Sequence, residues 1–194
     1  TPPQGNADYA FQQHILKSLH PRSGRSITVL PHGVLFRDAE QEMRKNMIKQ
    51  DLVEAVIGLG KNLFFGSGME CCLVVCRKNK PLDRKGKILF IDGKNEIKLE
   101  RSDAYLKEEH INKLAGSYHD FQDVEGFAKV LETTEILEKN QGNLSIQLYV
   151  KSQGETSTDS VEDLLTRTIH NQDSIQQGFD TLLNKLNDLG IPAV

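Results

Sequence analysis

The 194-residue sequence contains no tryptophan, three cysteines, six prolines and 6% aromatic residues. The odd cysteine count excludes a closed disulfide framework and fits a reducing compartment. Cys71, Cys72 and Cys76 share one apolar run, and no second Cys/His pair has the spacing of a zinc site; they read as packed thiols. No hydrophobic run reaches the roughly 20 residues of a membrane span, so the expectation is a cytoplasmic protein that does not enter membranes. Nor is there a large excess of one charge: the net value of −3 provides no global basic field for nucleic acid. The distribution is uneven, however. Residues 1–150 carry 21 basic against 20 acidic side chains, whereas residues 151–194 carry 3 against 7.

What is present, 38% hydrophobic and 26% charged residues, is enough for one main core. The chain opens TPPQGNADYAFQQHIL with neither Met nor leader, and reads as a start within a longer polypeptide. Asp8 can cap a helix whose apolar residues Phe11, Ile15 and Leu19 recur at helical spacing. Ile27 to Leu30 form a short apolar run of the kind buried on both faces of a parallel sheet. A charged helix from Asp38 and a second buried strand, LVEAVIGLG, follow. Then come the loop NLFFGSG, the strand ECCLVVCRK and, after a turn, KILFID. Alternation of helix and strand followed by strand, loop and strand predicts an α/β fold with an open, mostly parallel sheet carrying one antiparallel strand. Strands buried on both faces need neighbours, so the sheet reads as the second half of a doubly wound one. Residues 99–150 are less regular: LKEEHINKLAGSYHDF is helical and NLSIQLYV ends in a short extended piece.

A polar stretch, KSQGETSTDS, places a boundary near residue 152, giving regions 1–152 and 153–194. In the second region Ser160 and Asp163 resemble a capping box and Gly190 before Pro192 is a stop. Between them Val161, Leu165, Thr168, Gln172, Ile175, Phe179, Leu182, Leu186 and Leu189 step by fours and threes. That is a heptad seam over about four heptads, with Thr168 and Gln172 as polar interruptions. Either it folds back on its own domain or it docks on a partner helix; the free linker and narrow stripe favour docking.

Three stretches could carry chemistry. Asp92, Glu96 and Lys98 are residue types that hold Mg²⁺ in nucleases, but the acids lie four residues apart in a segment broken by Gly93, so a solvated turn is the better reading. Pro31 and His32 follow a strand at its carboxyl end, where open α/β sheets bind ligands; no matching nucleophile supports a hydrolase, and both read as lining a cleft. NLFFGSG has no strand-loop-helix context for a phosphate loop. Its adjacent Phe64 and Phe65 point to different sides, and Gly66 and Gly68 let backbone approach a flat ligand. Either both rings are core, or one stacks on a nucleobase, worth about 1–3 kcal/mol per base.

Taken in order, PPQGNADYAFQQHIL, GRSITVLPHGVLFR, EMRKNMIKQDLVEAVIGLGKNLFFGSGMECCLVV, RKGKILFIDG and NLSIQLYV resemble the C-terminal half of the methylation subunit of type I restriction-modification systems, N6-adenine DNA methyltransferases. The resemblance runs from residue 2 to about residue 150. It implies half of a Rossmann-like sheet, S-adenosylmethionine as cofactor of the full subunit, and transfer of methyl to an adenine flipped from double-stranded DNA. The family's glycine-rich cofactor motif and catalytic Asn-Pro-Pro-aromatic motif lie upstream. TPPQG matches the segment just after the latter, so Thr1 to Pro3 are not catalytic, no cofactor contact is expected here, and the chain alone is expected to be inactive. The resemblance implies that Phe64 or Phe65 stacks on the target base, Phe65 being favoured because it abuts the glycines. It further implies a DNA-specificity subunit, a natural dock for the heptad tail, and a motor-nuclease restriction subunit. An assembly module without catalysis is the alternative. An orphaned sheet edge could also pair two copies of the chain.

Overall fold

The computed structural model describes residues 7–100 and 103–151. The chain divides into two units, Thr1–Gln153 and Gly154–Val194. The seam from Val161 to Leu189 lies outside the described residues.

In the first unit, α1 (Asp8–Ser18) leads to β1 (Arg25–Pro31), then a 3₁₀ turn (His32–Leu35), a second (Asp38–Glu40) and α2 (Gln41–Lys49). Next come β2 (Val53–Leu59), β3 (Cys71–Arg77), β4 (Lys87–Gly93), a small hairpin of β5 (Lys98–Glu100) and β6 (Asp103–Tyr105), α3 (Glu108–Asp120), β7 (Ala128–Glu132) and α4 (Thr133–Asn140). A 3₁₀ turn at Ile146–Leu148 stands where an extended piece is expected from the sequence.

The main sheet has the order β1-β3-β2-β4-β7. β1, β2 and β4 run in one direction and β3 and β7 in the other, so only the β2–β4 pair is parallel. The mostly parallel sheet expected is therefore corrected. β3 inserts between β1 and β2, because the loop 60–70 is short enough to return the chain beside β2 but not to cross over.

β2 is buried at every position, as its apolar run predicts. β1 is not: Ile27 is 64% and Val29 47% exposed on the face turned from α1. Among the described residues β1 is an edge strand, which is why burial on both faces fails there.

Two apolar layers cover the sheet. On one face α1, α2, α4 and the 144–150 segment enclose Leu35, Ile48, Val56, Val74, Ile88 and Phe90. On the other α3 covers Ile57, Val75, Leu89 and Ile91 through Leu114. The buried stripe of α1 is Tyr9, Gln12 and Leu16, about one residue round from the one expected, and Phe11 faces solvent. Gln12 explains the shift: its Nε2 donates to Cys76 Sγ at 3.4 Å, so a polar residue occupies a core position. Asp8 is the first helical residue and not the cap, and its carboxylate goes to Arg37 instead.

Candidate functional site

The carboxyl ends of β1, β2 and β4 share one rim. Pro31 and Leu59 are both register partners of Cys71, so the loops after β1 and β2 flank the first residue of β3. Their strands are two steps apart in the sheet, roughly 10 Å.

The loop after β2 is narrow at its neck and apolar at its tip. Lys61 and Glu70 form an ion pair of 3.7 Å across the neck. Asn62 takes a left-handed conformation (φ 60°), and its carbonyl accepts from Ala104 N at 3.1 Å, tying the loop to β6. At the tip, Ser67 N donates to Phe64 O at 3.0 Å, closing a turn around Phe65 and Gly66. Gly66 has φ +71° at the third position, which demands glycine as in a type II turn. Gly68 needs no such freedom; a Cβ there would meet only Asn62 Oδ1 at 3.5 Å.

This turn leaves Phe65 fully exposed, with Phe64 39% and Met69 65% exposed beside it. Neither phenylalanine belongs to the apolar layers, so the reading of both rings as core is corrected. Single exposed apolar residues are common on surfaces. Three within six residues make one exposed apolar patch.

Pro31 closes β1 half-buried, and His32 opens the 3₁₀ turn, also half-buried. His32 Nε2 is buried with no hydrogen-bond partner among the described residues. Sequence reasoning thus brings Pro31, His32 and Phe65 to one rim. It does not reveal what holds the loop after β1. Glu40 is fully buried and receives both Arg37 Nε (2.8 Å) and Arg37 Nη2 (3.2 Å). That contact raises the Arg37 pKa above its ordinary value. Arg44, also buried, donates to the carbonyls of Val34, Arg37 and Gly142. These partners lie up to 98 residues apart, and no local pattern signals them.

A second buried charge, Glu54, lies at the opposite end of β2. It accepts from Arg77, Arg84 and the Tyr118 hydroxyl (2.8 Å), and Arg25 donates to that hydroxyl at 2.7 Å. Burial and then the Glu54 contact raise the Tyr118 pKa. Its partners satisfy it completely, which makes it a structural anchor.

The nuclease reading finds no support. Asp92 pairs with Lys94 (3.3 Å) and Glu96 with Lys113 (2.5 Å). No group of three or more His, Cys, Asp or Glu suited to a metal occurs among the described residues. The cysteines are free thiols, two buried and Cys71 half-buried. No described helix is long and apolar enough to cross a membrane.

An α/β sheet with β3 inserted antiparallel between β1 and β2 has the fold expected of half of a Rossmann-like methyltransferase core. The comparisons with known proteins agree. The model of the N-6 DNA methylase family matches residues 1–158, and the chain belongs to that family. It is 39% identical over 157 residues to the type I restriction enzyme MjaVIII methylase subunit of Methanocaldococcus jannaschii, covering 77% of this chain and 26% of that protein. It is 33% identical over 189 residues to the MpnII methylase subunit of Mycoplasma pneumoniae, covering 96% of this chain and 33% of the relative. The crystal structure of the type I restriction-modification methyltransferase subunit from Streptococcus thermophilus superposes with a TM-score of 0.71 at 33% identity, over 76% of this chain and 31% of that one. The chain thus spans about a quarter to a third of the length of these relatives.

Proposed function

We propose that the chain supplies the target-base end of an N6-adenine DNA methyltransferase, within the modification subunit of a type I restriction-modification complex. The observation that carries this is the exposed Phe65 on its Gly66 turn at the carboxyl-end rim, in a chain of the N-6 DNA methylase family. A base taken out of the duplex loses its stacking and must recover it on the enzyme. An exposed ring on a glycine-shaped turn provides that surface without a side-chain rearrangement, with Phe64 and Met69 excluding water beside it.

S-adenosylmethionine, supplying the methyl group when bound to the full subunit, is the cofactor this reading implies. This reading expects the groups that hold it to come from the rest of the subunit. The contribution of this segment is to base binding. Its partners on this reading are the DNA-specificity subunit, met by the heptad tail, the restriction subunit and double-stranded DNA.

The test is Phe65→Ala in the full-length subunit within its complex, with 2-aminopurine at the target position. Loss of one stacking contact, about 1–3 kcal/mol, weakens binding of the flipped base roughly 5- to 150-fold. The expected result is a matching change in fluorescence, with Phe64→Ala having less effect. Unchanged fluorescence and methylation in Phe65→Ala would remove the stacking role.

A further inference from the structure

We propose that Arg37 is a positioning residue for methyl transfer: it locks the first turn of α1 and the loop after β1 into one rigid piece at the carboxyl-end rim. The inference rests on the methyltransferase reading above and goes beyond it, because Arg37 is remote in sequence from the aromatic turn.

The guanidinium makes a three-way junction. Its Nε and Nη2 form a fork on the carboxylate of buried Glu40, and Nη2 also reaches Asp8 Oδ2 at 2.6 Å in the first turn of α1. The first turn of α1 and the short 3₁₀ turn that leads into α2 meet at one planar group. A lysine could supply the charge but not the fork. The guanidinium lies beside Gly33, where a Cβ would meet Arg37 Nη1 at 3.4 Å in ordinary van der Waals contact.

The rest of the loop is held in the same manner. Val34 O accepts from the Tyr9 hydroxyl of α1 (3.0 Å) and from Arg44 of α2 (3.2 Å). Arg37 O accepts from Arg44 at 2.7 Å, and Leu35 O accepts from Leu144 N at 2.9 Å. Loop carbonyls that would ordinarily face water are therefore tied to three separate elements. Burying a charge pair of this kind contributes little net stability compared with an apolar cluster of the same size. What it supplies is a fixed geometry.

That geometry sits where the fold would need it. The loop starts one residue after Pro31, the partner of Cys71, and so borders the aromatic turn across a single strand end. Reactions between two bound partners are sensitive to placement, and an error of about 1 Å costs on the order of 100-fold in rate. Releasing Arg37 removes one of the two side-chain ties between α1 and the loop, leaving that of Tyr9 to Val34 O, and takes no group from the rim.

The experiment measures methyl transfer from S-adenosylmethionine to a duplex bearing the recognition site, using the full-length subunit in its assembled complex. Arg37→Ala is expected to lower kcat about 30-fold or more, with KM for DNA and cofactor within about twofold. Arg37→Lys recovers part of kcat, and Asp8→Asn loses a smaller share. The double variant Arg37→Ala/Asp8→Asn is no slower than Arg37→Ala alone, because the two act through one junction. Ile136→Ala, a core change in α4 that removes none of the junction's hydrogen bonds, is the control for lost thermal stability and keeps its kcat. An Arg37→Ala kcat within twofold of wild type overturns the proposal, as does a loss that Ile136→Ala reproduces at equal Tm. If the wild-type complex transfers no methyl group, the methyltransferase reading falls and takes the proposal with it.

Discussion

Cys72 and Cys76 are both fully buried on the α1 and α2 face of β3. Burial pushes each thiol from the ordinary 9.0 up to about 12, while Cys71, half-buried, is raised less far. The linkage has a definite sign. Between pH 9 and about 12 the unfolded chain releases these protons and the folded one keeps them. The stabilisation is therefore complete below pH 9 and lost as pH rises towards 12, at about 1.4 kcal/mol per pH unit for each thiol. Urea unfolding at pH 8 and pH 10 should show a loss of about 2 kcal/mol or more, and Cys76→Ala should lose about half as much. An identical loss in the variant would assign the effect to other groups. The expectation of buried thiols holds for Cys72 and Cys76, since apolar neighbours suffice to bury a small thiol, but Cys71 at the start of β3 is half-buried. The exposed turn at Phe65 is legible for a similar reason: the glycine that follows it signals a special backbone. Arg37 and Arg44 are not, because each looks like an ordinary surface charge until a partner arrives from another element, and nothing local to Glu40 signals that it is buried.

The same distinction between local and distant causes holds for elements. β2 declares itself through an unbroken apolar run, and α3 through its amphipathic pattern. β7 carries Lys129 and Glu132 and, of the strands among the described residues, pairs with β4 alone, so its sequence lacks the signature of a core strand. The three-residue strands β5 and β6 are too short for any periodicity to register. Their position depends on Asn62 O accepting from Ala104 N, a contact 42 residues apart that no window of sequence contains. Gly93 shows what the packing of whole elements demands. A Cβ there would fall 2.5 Å from Gly58 O and 2.7 Å from Leu114 Cδ2, wedging β4 from β2 and from α3. Gly93 is not among the positive-φ residues, so its smallness matters more than its backbone freedom. Overpacking of this kind costs about 1–3 kcal/mol, and backbone on one side places Gly93→Ala at the upper end. The check is a urea midpoint lowered to match at unchanged m, whereas Gly116→Ala, with open space around its Cβ, should unfold no earlier than wild type.

For the molecule as a whole, the consequential feature is the unpaired side of β1. Its outer edge has no partner among the described residues, and the adjoining sheet face is an almost purely apolar groove bounded by Ile27, Ile57, Leu73, Val75, Ile111 and Leu114. A seven-residue edge beside such a groove is a template for a further strand. Studied by itself, the chain is expected to pair β1 with β1 of a second copy. Light scattering should then give a dimer both for residues 1–194 and for residues 1–153, since the edge belongs to the first unit. Ile27→Lys places a charge in the groove at a position 64% exposed, where the fold itself tolerates it within about 0.5 kcal/mol, and should yield a monomer. The heptad tail is separable in the same experiment. Mixed with the specificity subunit, the Ile27→Lys chain of 194 residues should form a heavier complex that the shortened chain does not, because the seam from Val161 to Leu189 is what a partner helix would grip. A monomer on shortening alone would transfer self-association from the sheet edge to the tail, and equal capture of both lengths would move the docking surface into the first unit.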